Sequence, residues 1–256
     1  MKAVILAGGL GTRLREETEF RPKPMVEIGG KPILWHIMKS LNAQGIKEFV
    51  ICLGYKGEQI KEFFLNYEAL TNDITIHLGD SGIKNQFHSA AKENWTVTLA
   101  DTGMHTMTGG RLNLVRQYLG SETFLCTYGD GLADVNVNEL INFHKKHDGL
   151  ATVTAVQPTN RFGALELNED DVVTSFAEKP ISEKWVNGGF FIFEKEIFEY
   201  LDNECILERE PLEEVARKGE LHAYKHKGFW RPMDTHREAQ ELNKLWSEGI
   251  APWRNW

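Results

Sequence analysis

The sequence predicts an α/β protein whose mixed, mostly parallel sheet is flanked by helices. From Lys2 to about Val156, short runs rich in β-branched and aromatic residues alternate with segments in which apolar residues recur at helical spacing. This alternation favours parallel pairing, because each helix returns the chain to the same end of the sheet. The chain has 256 residues, of which 41% are hydrophobic, and this is enough to bury the core of one such domain.

The first part of the chain contains the clearest elements. A helix is predicted from Pro32 to Ala43, since proline occupies its first turn, Gly45 follows its end and its apolar residues share one face. The predicted strands are Ala3–Leu6, Phe49–Leu53, Ile74–His77, Val97–Leu99, Phe124–Thr127 and Ala151–Val156. Further helices are predicted over about Gly57–Asn66, Gly109–Leu119 and Val137–His147.

After Val156 the runs are typical of an antiparallel or mixed extension of the same sheet. They are Gly163–Leu167, Val172–Phe176, Gly189–Phe193 and Leu221–Tyr224, with helices near Lys195–Leu201 and Pro211–Lys218 and a last helix over about Thr235–Ser247. No repeat or linker forces a boundary, so we expect a single domain over residues 1–256.

Composition and charge argue against several classes of protein. The net charge of −8 disfavours nucleic-acid binding, which normally relies on a basic surface. No stretch approaches the roughly 18 continuous apolar residues of a membrane span. Because the first strand is predicted to begin at Ala3, we expect no signal peptide. Cys52, Cys126 and Cys205 show no metal or redox spacing, so we expect reduced core residues of a cytoplasmic protein.

The segment that follows the first strand is typical of a phosphate site. Glycines between positions 8 and 11 would let backbone N–H groups approach an anion, and Arg13 and Lys23 can add formal charge. Residues 1–31 carry six cations and four anions, a local excess of positive charge in an acidic protein. A tight turn also needs glycine for steric reasons alone. The segment is neither a dinucleotide fingerprint, since Leu14 replaces the third glycine, nor a P-loop, since no Gly-Lys-Ser/Thr follows.

Two blocks near the amino terminus resemble the signature of the sugar-phosphate nucleotidyltransferases: Gly8-Gly9-Leu10-Gly11-Thr12-Arg13-Leu14 and Arg21-Pro22-Lys23-Pro24-Met25. Similar blocks extend through most of the chain: Thr108-Gly109-Gly110-Arg111, Tyr128-Gly129-Asp130-Gly131, Glu178-Lys179-Pro180, Asn187-Gly188-Gly189-Phe190-Phe191 and Gly228-Phe229-Trp230-Arg231-Pro232-Met233-Asp234-Thr235. The resemblance implies a Rossmann-like sheet of the nucleotide-diphospho-sugar transferase type with a small β-rich sugar-binding extension. It assigns about 1–156 to nucleotide binding, about 157–234 to sugar-phosphate binding and 235–256 to a C-terminal helix and tail.

The same resemblance implies a reaction. It is strongest to members that transfer a cytidylyl group from CTP to α-D-glucose 1-phosphate, giving CDP-glucose and pyrophosphate with Mg²⁺ as cofactor, for dideoxy-sugar and O-antigen (lipopolysaccharide) biosynthesis. Other members use UTP, dTTP, GTP or ATP, or mannose 1-phosphate, so base and sugar stay open. The alternative from another class is a non-catalytic regulatory subunit that binds a nucleotide sugar.

The resemblance also implies a homo-oligomer, such as a hexamer. Three tryptophans lie within the last eleven residues of the sequence, at Trp246, Trp253 and Trp256. They would suit a subunit contact, where aromatic side chains are enriched. Terminal aromatic residues more commonly cap the core of their own chain.

Two aspartates are the candidate metal ligands. Asp130 follows the apolar run 124–128, at the kind of strand end where ligands of open α/β sheets collect, and Asp234 precedes the last helix. Mg²⁺ is typically held by one or two carboxylates together with phosphate oxygens and waters, and the resemblance implies this role for both residues. Each also has a simpler explanation, since Asp-Gly favours a turn and Asp234 could be a helix N-cap.

The reaction explains which other residue types carry the motifs. A sugar 1-phosphate is already a nucleophile at neutral pH, so the protein must align substrates and neutralise charge rather than supply a strong base or a covalent intermediate. The motifs accordingly contain Arg, Lys, Asp and Gly. We expect Arg13 to stabilise the triphosphate and the leaving pyrophosphate, and Lys23 to lie near the reacting α-phosphate.

The remaining substrate contacts are predicted from the similar blocks. The resemblance places the nucleotide against Leu6, Ala7, Gly8, Gly9, Leu10, Gly11, Thr12, Arg13, Lys23, Thr106, Arg111 and Gly129. It places the sugar phosphate against Glu178, Lys179, Asn187 and Gly188, with Lys179 on the phosphate. Lys179 could equally be a surface lysine before a turn. Selecting cytosine over uracil requires an acceptor that faces the cytosine amino group, and the sequence does not place one.

Overall fold

A computed structural model describes residues 1–79, 82–88, 93–159, 163–178 and 181–256, without the side chains at positions 13, 15, 16, 79, 82, 83 and 167. The strands are β1 (Lys2–Leu6), β2 (Glu27–Ile28), β3 (Lys31–Pro32), β4 (Glu48–Leu53), β5 (Ile74–Gly79), β6 (Gly82–Phe87), β7 (Thr96–Asp101), β8 (Phe124–Tyr128), β9 (Gly131–Ala133), β10 (Ala151–Val156), β11 (Ala164–Leu167), β12 (Val173–Ala177), β13 (Val186–Phe193), β14 (Leu221–Lys225) and β15 (Trp230–Pro232).

Helices cover most of the connections between these strands. They are α1 (Arg15–Thr18), α2 (Ile33–Ala43), α3 (Gly57–Leu65), α4 (Tyr67–Thr71), α5 (Thr108–Leu114), α6 (Val137–His144), α7 (Glu210–Arg217) and α8 (His236–Ser247). Shorter 3₁₀ turns cover Thr12–Leu14, Lys23–Met25, Arg116–Tyr118 and Lys195–Tyr200. None of the described helices is both long enough and apolar enough to cross a membrane.

A seven-stranded sheet in the order β14-β10-β13-β8-β1-β4-β7 forms the centre of the fold. The strands β8, β1, β4 and β7 run parallel to one another, and β14 runs parallel to β10. The exception is β13, which lies between β8 and β10 and is antiparallel to both. The predicted mixed and mostly parallel sheet is therefore confirmed.

Two predicted parts of the sheet lie outside it. β5 pairs with β6, and β11 pairs with β12, as separate two-stranded hairpins. The expectation that Gly163–Leu167 and Val172–Phe176 extend the main sheet is therefore wrong. All five residues of β12 are exposed, so no other layer of the structure covers either face of this strand.

Two helices are shorter than predicted. Helix α5 ends at Leu114 and gives way to the 3₁₀ turn, and α6 ends at His144. After α6 the chain turns into β10, where the rings of His144 and His147 each contact Thr152 Oγ1 at 2.8 Å. His147 therefore lies beyond the end of α6, and its ring contacts the start of β10.

Apolar cores cover both faces of the sheet. Alternate residues of β1 enter different cores, because successive side chains of a strand point to opposite faces. Ala3 and Ile5 pack with residues of α2 and α8, whereas Val4 and Leu6 pack with residues of α5 and α7. The central strand is thus buried on both sides, as expected for a parallel sheet between helices.

The C-terminal tryptophans cap the first of these cores within the chain itself. Trp253 is fully buried, and its indole N–H donates to His36 Nδ1 at 3.3 Å. The rings of Trp246 and Trp256 lie 4.7 and 6.2 Å from the His36 ring. Core capping therefore accounts for these residues without a subunit contact.

Candidate active site

A cavity of about 610 Å³, the larger cavity, opens at the carboxyl ends of β1 and β8. Its lining consists of residues 6–12, 104–108 and 128–130 together with Lys23, Pro24, Arg111 and Asp234. This is the edge at which an open α/β sheet places its ligands. The lining includes every residue predicted to contact the nucleotide except Arg13, whose side chain lies outside the described part of the structure.

A second cavity of about 400 Å³, the smaller cavity, adjoins the first. Its lining consists of residues 187–190 with Thr127, Tyr128, Asp130, Gly131, Trp230, Pro232 and Asp234. Tyr128, Asp130 and Asp234 line both cavities and so mark their boundary. Of the predicted sugar contacts, Asn187 and Gly188 line this cavity.

The other two predicted sugar contacts are not part of the smaller cavity as described. Glu178 is exposed at the end of β12 and lines neither cavity. Lys179 lies outside the described residues.

A two-stranded ladder brings the two aspartates together. β9 begins directly after Asp130, and β15 ends two residues before Asp234. Gly131 pairs with Pro232 in this ladder, and the Met233 N–H donates to Asp130 O at 2.9 Å. Residues that are about a hundred positions apart in the chain therefore meet at the boundary of the cavities.

Lys23 bridges the two aspartates. Its Nζ donates to Asp130 Oδ2 and to Asp234 Oδ1, each at 2.7 Å, and its side chain is only 9% exposed. Burial by itself would lower the pKa of Lys23, but the two carboxylates outweigh burial and raise this pKa above its usual value. The ammonium group is therefore held as a cation beside the cavity.

The aspartate pair fits a divalent cation. One ammonium nitrogen already lies within hydrogen-bonding distance of both carboxylates, so a small cation could also contact both. The side chains of Asp130 and Asp234 are 38% and 18% exposed, which leaves access for waters and phosphate oxygens. Within the described ranges, no cluster of three or more His, Cys, Asp or Glu could hold a metal, so further donors would come from substrate and solvent.

The start of α8 fixes the backbone of Asp234. Thr235 is the N-cap, with its side chain accepting from Glu238 N at 3.2 Å, and Glu238 Oε2 accepts from Thr235 N at 2.9 Å. The same carboxylate oxygen accepts from Asp234 N at 2.8 Å. The N-cap explanation for Asp234 is therefore wrong, since a complete capping box follows it.

The glycines after β1 serve different purposes. Gly11 has a φ of +63°, a conformation that side chains with a Cβ rarely adopt. A Cβ at Gly8 would lie 2.1 Å from Arg111 Nη1, whereas a Cβ at Gly9 would meet no atom within 4 Å. The backbone at Gly9 is thus open to a ligand. Glycine is needed at position 8 because the Arg111 guanidinium fills the space that a Cβ would occupy.

Arg111 joins the loops that line the larger cavity. The residue is 4% exposed, and its guanidinium donates to five protein acceptors. They are Leu53 O, Thr102 Oγ1, Gly103 O, Gly8 O and Met104 O, at 2.7 to 3.3 Å. Burial lowers the pKa of Arg111, although guanidinium stays charged at neutral pH. This arrangement holds the ends of three strands and their loops around one cation.

Sequence analysis did not identify Tyr128 and Glu208. Tyr128 ends β8 directly before Gly129 and Asp130, so its position at a strand end was a usable signal. Its hydroxyl donates to the Glu208 carboxylate and accepts from Asn187 Nδ2 at 3.2 Å. Glu208 lies in the segment before α7, which carries no motif.

The comparisons with known proteins agree with this geometry. A family model described as nucleotidyl transferase matches residues 2–237. The chain is 52% identical to glucose-1-phosphate cytidylyltransferase of Salmonella typhimurium and 46% identical to probable glucose-1-phosphate cytidylyltransferase of Bacillus subtilis strain 168, over 100% of each chain in both cases. The structure of HddC from Yersinia pseudotuberculosis covers 96% of this chain and 99% of its own with a TM-score of 0.68 and 23% identity, which shows a shared fold.

Two adjoining cavities with an ammonium and two carboxylates at their boundary suit the joining of two phosphorylated substrates. The match to the family model covers most of the sequence, and the relatives are similar over their full lengths. The chain belongs to the nucleotidyl transferase family.

Proposed function

We propose that the protein transfers a cytidylyl group from CTP to α-D-glucose 1-phosphate, forming CDP-glucose and pyrophosphate. The observation that carries this proposal is the 52% identity over both full chains to the Salmonella typhimurium relative of that name. The product would supply the synthesis of dideoxy-sugars for O-antigen or another surface polysaccharide.

The two cavities support a division of labour between substrates. The larger one, about 610 Å³, suits the nucleoside triphosphate, and the smaller one, about 400 Å³, suits the hexose phosphate. An oxygen of the sugar phosphate then attacks the α-phosphorus, and the bond from that phosphorus to the pyrophosphate oxygen breaks. We place this exchange at the shared boundary, where Lys23 can donate to the α-phosphate.

Asp130 and Asp234 would hold the Mg²⁺ ion. When bound, the ion would supply positive charge to the phosphate oxygens. Lys23 contacts both carboxylates in the structure, so we expect its ammonium to lie beside the phosphates that the metal ion would bind. The Mg²⁺ ion and the Lys23 ammonium would thus both attract the phosphates and align them.

The remaining predicted contacts keep distinct proposed tasks. Arg13 would stabilise the triphosphate and the leaving pyrophosphate, and Lys179 would bind the sugar phosphate. Asn187 and Gly188 would contact the sugar hydroxyls from the wall of the smaller cavity. Glu178 remains a predicted sugar contact, although it lines neither cavity. Since Arg111 already donates to five protein acceptors, we propose that it shapes the wall of the nucleotide site.

We also propose that the enzyme is a cytoplasmic homo-oligomer. Large apolar side chains are exposed on the two peripheral hairpins, with Leu78 of β5 at 79% and Phe176 of β12 at 65% exposure. Such residues support a protein contact at these hairpins. Light scattering coupled to size-exclusion chromatography measures the number of subunits, and a monomeric mass would reject the proposal.

The test of the reaction is a matrix of pyrophosphate-release assays. CTP, UTP, dTTP, GTP and ATP are each combined with glucose 1-phosphate and with mannose 1-phosphate, in the presence of Mg²⁺. We expect CTP with glucose 1-phosphate to give the highest kcat/KM. Fastest turnover with UTP would reject the cytidylyl assignment, and nucleotide binding without turnover of any pair would favour a regulatory subunit.

A further inference from the structure

Glu208 lines neither cavity, but its carboxylate contacts two residues that do. One of its carboxylate oxygens accepts from the Tyr128 hydroxyl, and the other accepts from Thr108 Oγ1 at 2.6 Å. The two donors come from different elements, since Tyr128 ends β8 and Thr108 begins α5. A single carboxylate therefore ties a strand end to a helix start.

The two donors also serve different cavities. Thr108 lines the larger cavity only. Tyr128 lines both cavities, and its hydroxyl accepts from Asn187 Nδ2, which lies in the lining of the smaller cavity. The chain of contacts from Thr108 through Glu208 and Tyr128 to Asn187 thus spans both substrate sites.

The other contacts of these groups fix the direction of each hydrogen bond. Thr108 Oγ1 accepts from Leu207 N at 3.0 Å, so its own hydrogen is directed to Glu208. Asn187 Oδ1 accepts from Gly189 N at 2.8 Å, so its amino group is directed to Tyr128. Burial, aided by the Glu208 carboxylate, raises the pKa of Tyr128, so the phenol keeps the proton that it donates.

The segment that carries Glu208 is packed tightly against α5. A Cβ added to Gly109 would lie 2.4 Å from Cys205 Sγ, and one added to Gly110 would lie 2.3 Å from Asn203 O. The Gly110 N–H also donates to Cys205 O at 3.1 Å. This contact keeps Glu208 in place relative to the start of α5.

We propose that Glu208 is a positioning residue that couples the nucleotide site to the sugar site. It acts through Thr108 on the nucleotide side and through Tyr128 and Asn187 on the sugar side. The inference rests on the proposed function for the identity of the two substrates. It adds that both substrate affinities depend on one carboxylate that touches neither substrate.

The test compares the KM values for CTP and for glucose 1-phosphate in four variants. We expect Glu208→Gln to raise both KM values on the order of tenfold, because it replaces one acceptor of a charge-assisted pair by a donor. Tyr128→Phe is expected to raise only the KM for glucose 1-phosphate, and Thr108→Val only that for CTP. Glu204→Gln, an exposed change in the same segment, is the matched control and is expected to leave both values unchanged.

A change of only one KM, or of neither, in Glu208→Gln would overturn the proposal. General loss of folded protein lowers the active fraction and kcat without moving either KM, so the pattern separates positioning from stability. Should Glu208→Gln not fold, the double variant Tyr128→Phe/Thr108→Val removes both donors and is expected to raise both KM values. Calorimetric binding of each substrate needs no turnover, so an inactive wild-type protein that binds both would reject the proposed function. In that case the two Kd values of Glu208→Gln replace its KM values, and weakening of only one or of neither would overturn the coupling.

Discussion

Lys23 and Arg111 are both buried cations beside the larger cavity, yet they have opposite surroundings. Lys23 contacts two carboxylates at 2.7 Å, whereas Arg111 contacts five neutral acceptors. The pKa of Lys23 is raised because the carboxylates outweigh burial, and burial lowers the pKa of Arg111. The difference teaches that the first cation belongs to an ion cluster that lines the cavities, while the second holds the cavity wall together.

His36 extends the comparison to a buried basic group that has lost its charge. Its Nε2 donates to Ile28 O at 2.7 Å, and its Nδ1 accepts from Trp253. Burial lowers the pKa of His36 to about 4, although the bond to Ile28 opposes this shift. Lys23 is therefore an ion-paired cation and Arg111 a cation surrounded by neutral acceptors. His36 is a neutral ring among aromatic side chains.

The largest expected effect is on turnover, at the ion cluster. Asp130→Asn removes the charge of one carboxylate and is expected to lower kcat at least a hundredfold while folding is retained, since the side chain is partly open to solvent. Steady-state kinetics and denaturant unfolding measure the two quantities. Asp134→Asn, four residues further on, is the matched control, and wild-type activity in Asp130→Asn would reject the metal assignment.

The next effect is on stability, at the cavity wall. Arg111→Met removes five hydrogen bonds, three of them buried, and is expected to lower the free energy of unfolding by about 3 kcal/mol. Lys23→Met is the matched variant and is expected to lose turnover with a smaller change in stability, because Asp130 and Asp234 keep access to water. Equal destabilisation by both changes, measured in urea, would remove the distinction between the two cations.

A pH-dependent effect is expected at His36. The unfolded histidine binds a proton near its ordinary pKa of 6.5, but the folded ring does so only near pH 4, so stability falls as the pH is lowered through this window. One such group contributes a slope of about 1.4 kcal/mol per pH unit. Urea unfolding at several pH values measures this slope, and an unchanged slope in His36→Gln would contradict the assignment.

The smallest expected effect is at the cap of α8. Thr235→Ala removes one side of the capping box and is expected to cost about 1 kcal/mol of stability. It should also weaken Mn²⁺ binding, measured by electron paramagnetic resonance, because the cap fixes the backbone of Asp234 beside Lys23. Ser247→Ala at the other end of the helix is the control, and a loss of Mn²⁺ affinity equal to that of Thr235→Ala would count against this role of the cap.

Sequence patterns predicted the features that depend on residues close to one another in the chain. The position of Asp130 followed from the apolar strand before it, and the glycines before Arg13 indicated a phosphate site. The separate roles of Gly8 and Gly9 could not be predicted, because they depend on where the Arg111 side chain lies. The contacts around the smaller cavity were the least predictable part, since Tyr128 links Asn187 to Glu208 across distant segments of the chain.

The antiparallel strand β13 has a consequence for the order of folding. Among the strands of the main sheet, β10 is the next after β8 in the chain, but β13 separates the two in the sheet, and its residues come some thirty positions after β10. Strands of the first half can pair as soon as they collapse, whereas β10 and β14 can join them only after this later strand has closed a long loop. The boundary between the two cavities therefore lies beside the β8–β13 pair, whose formation has to close this long loop.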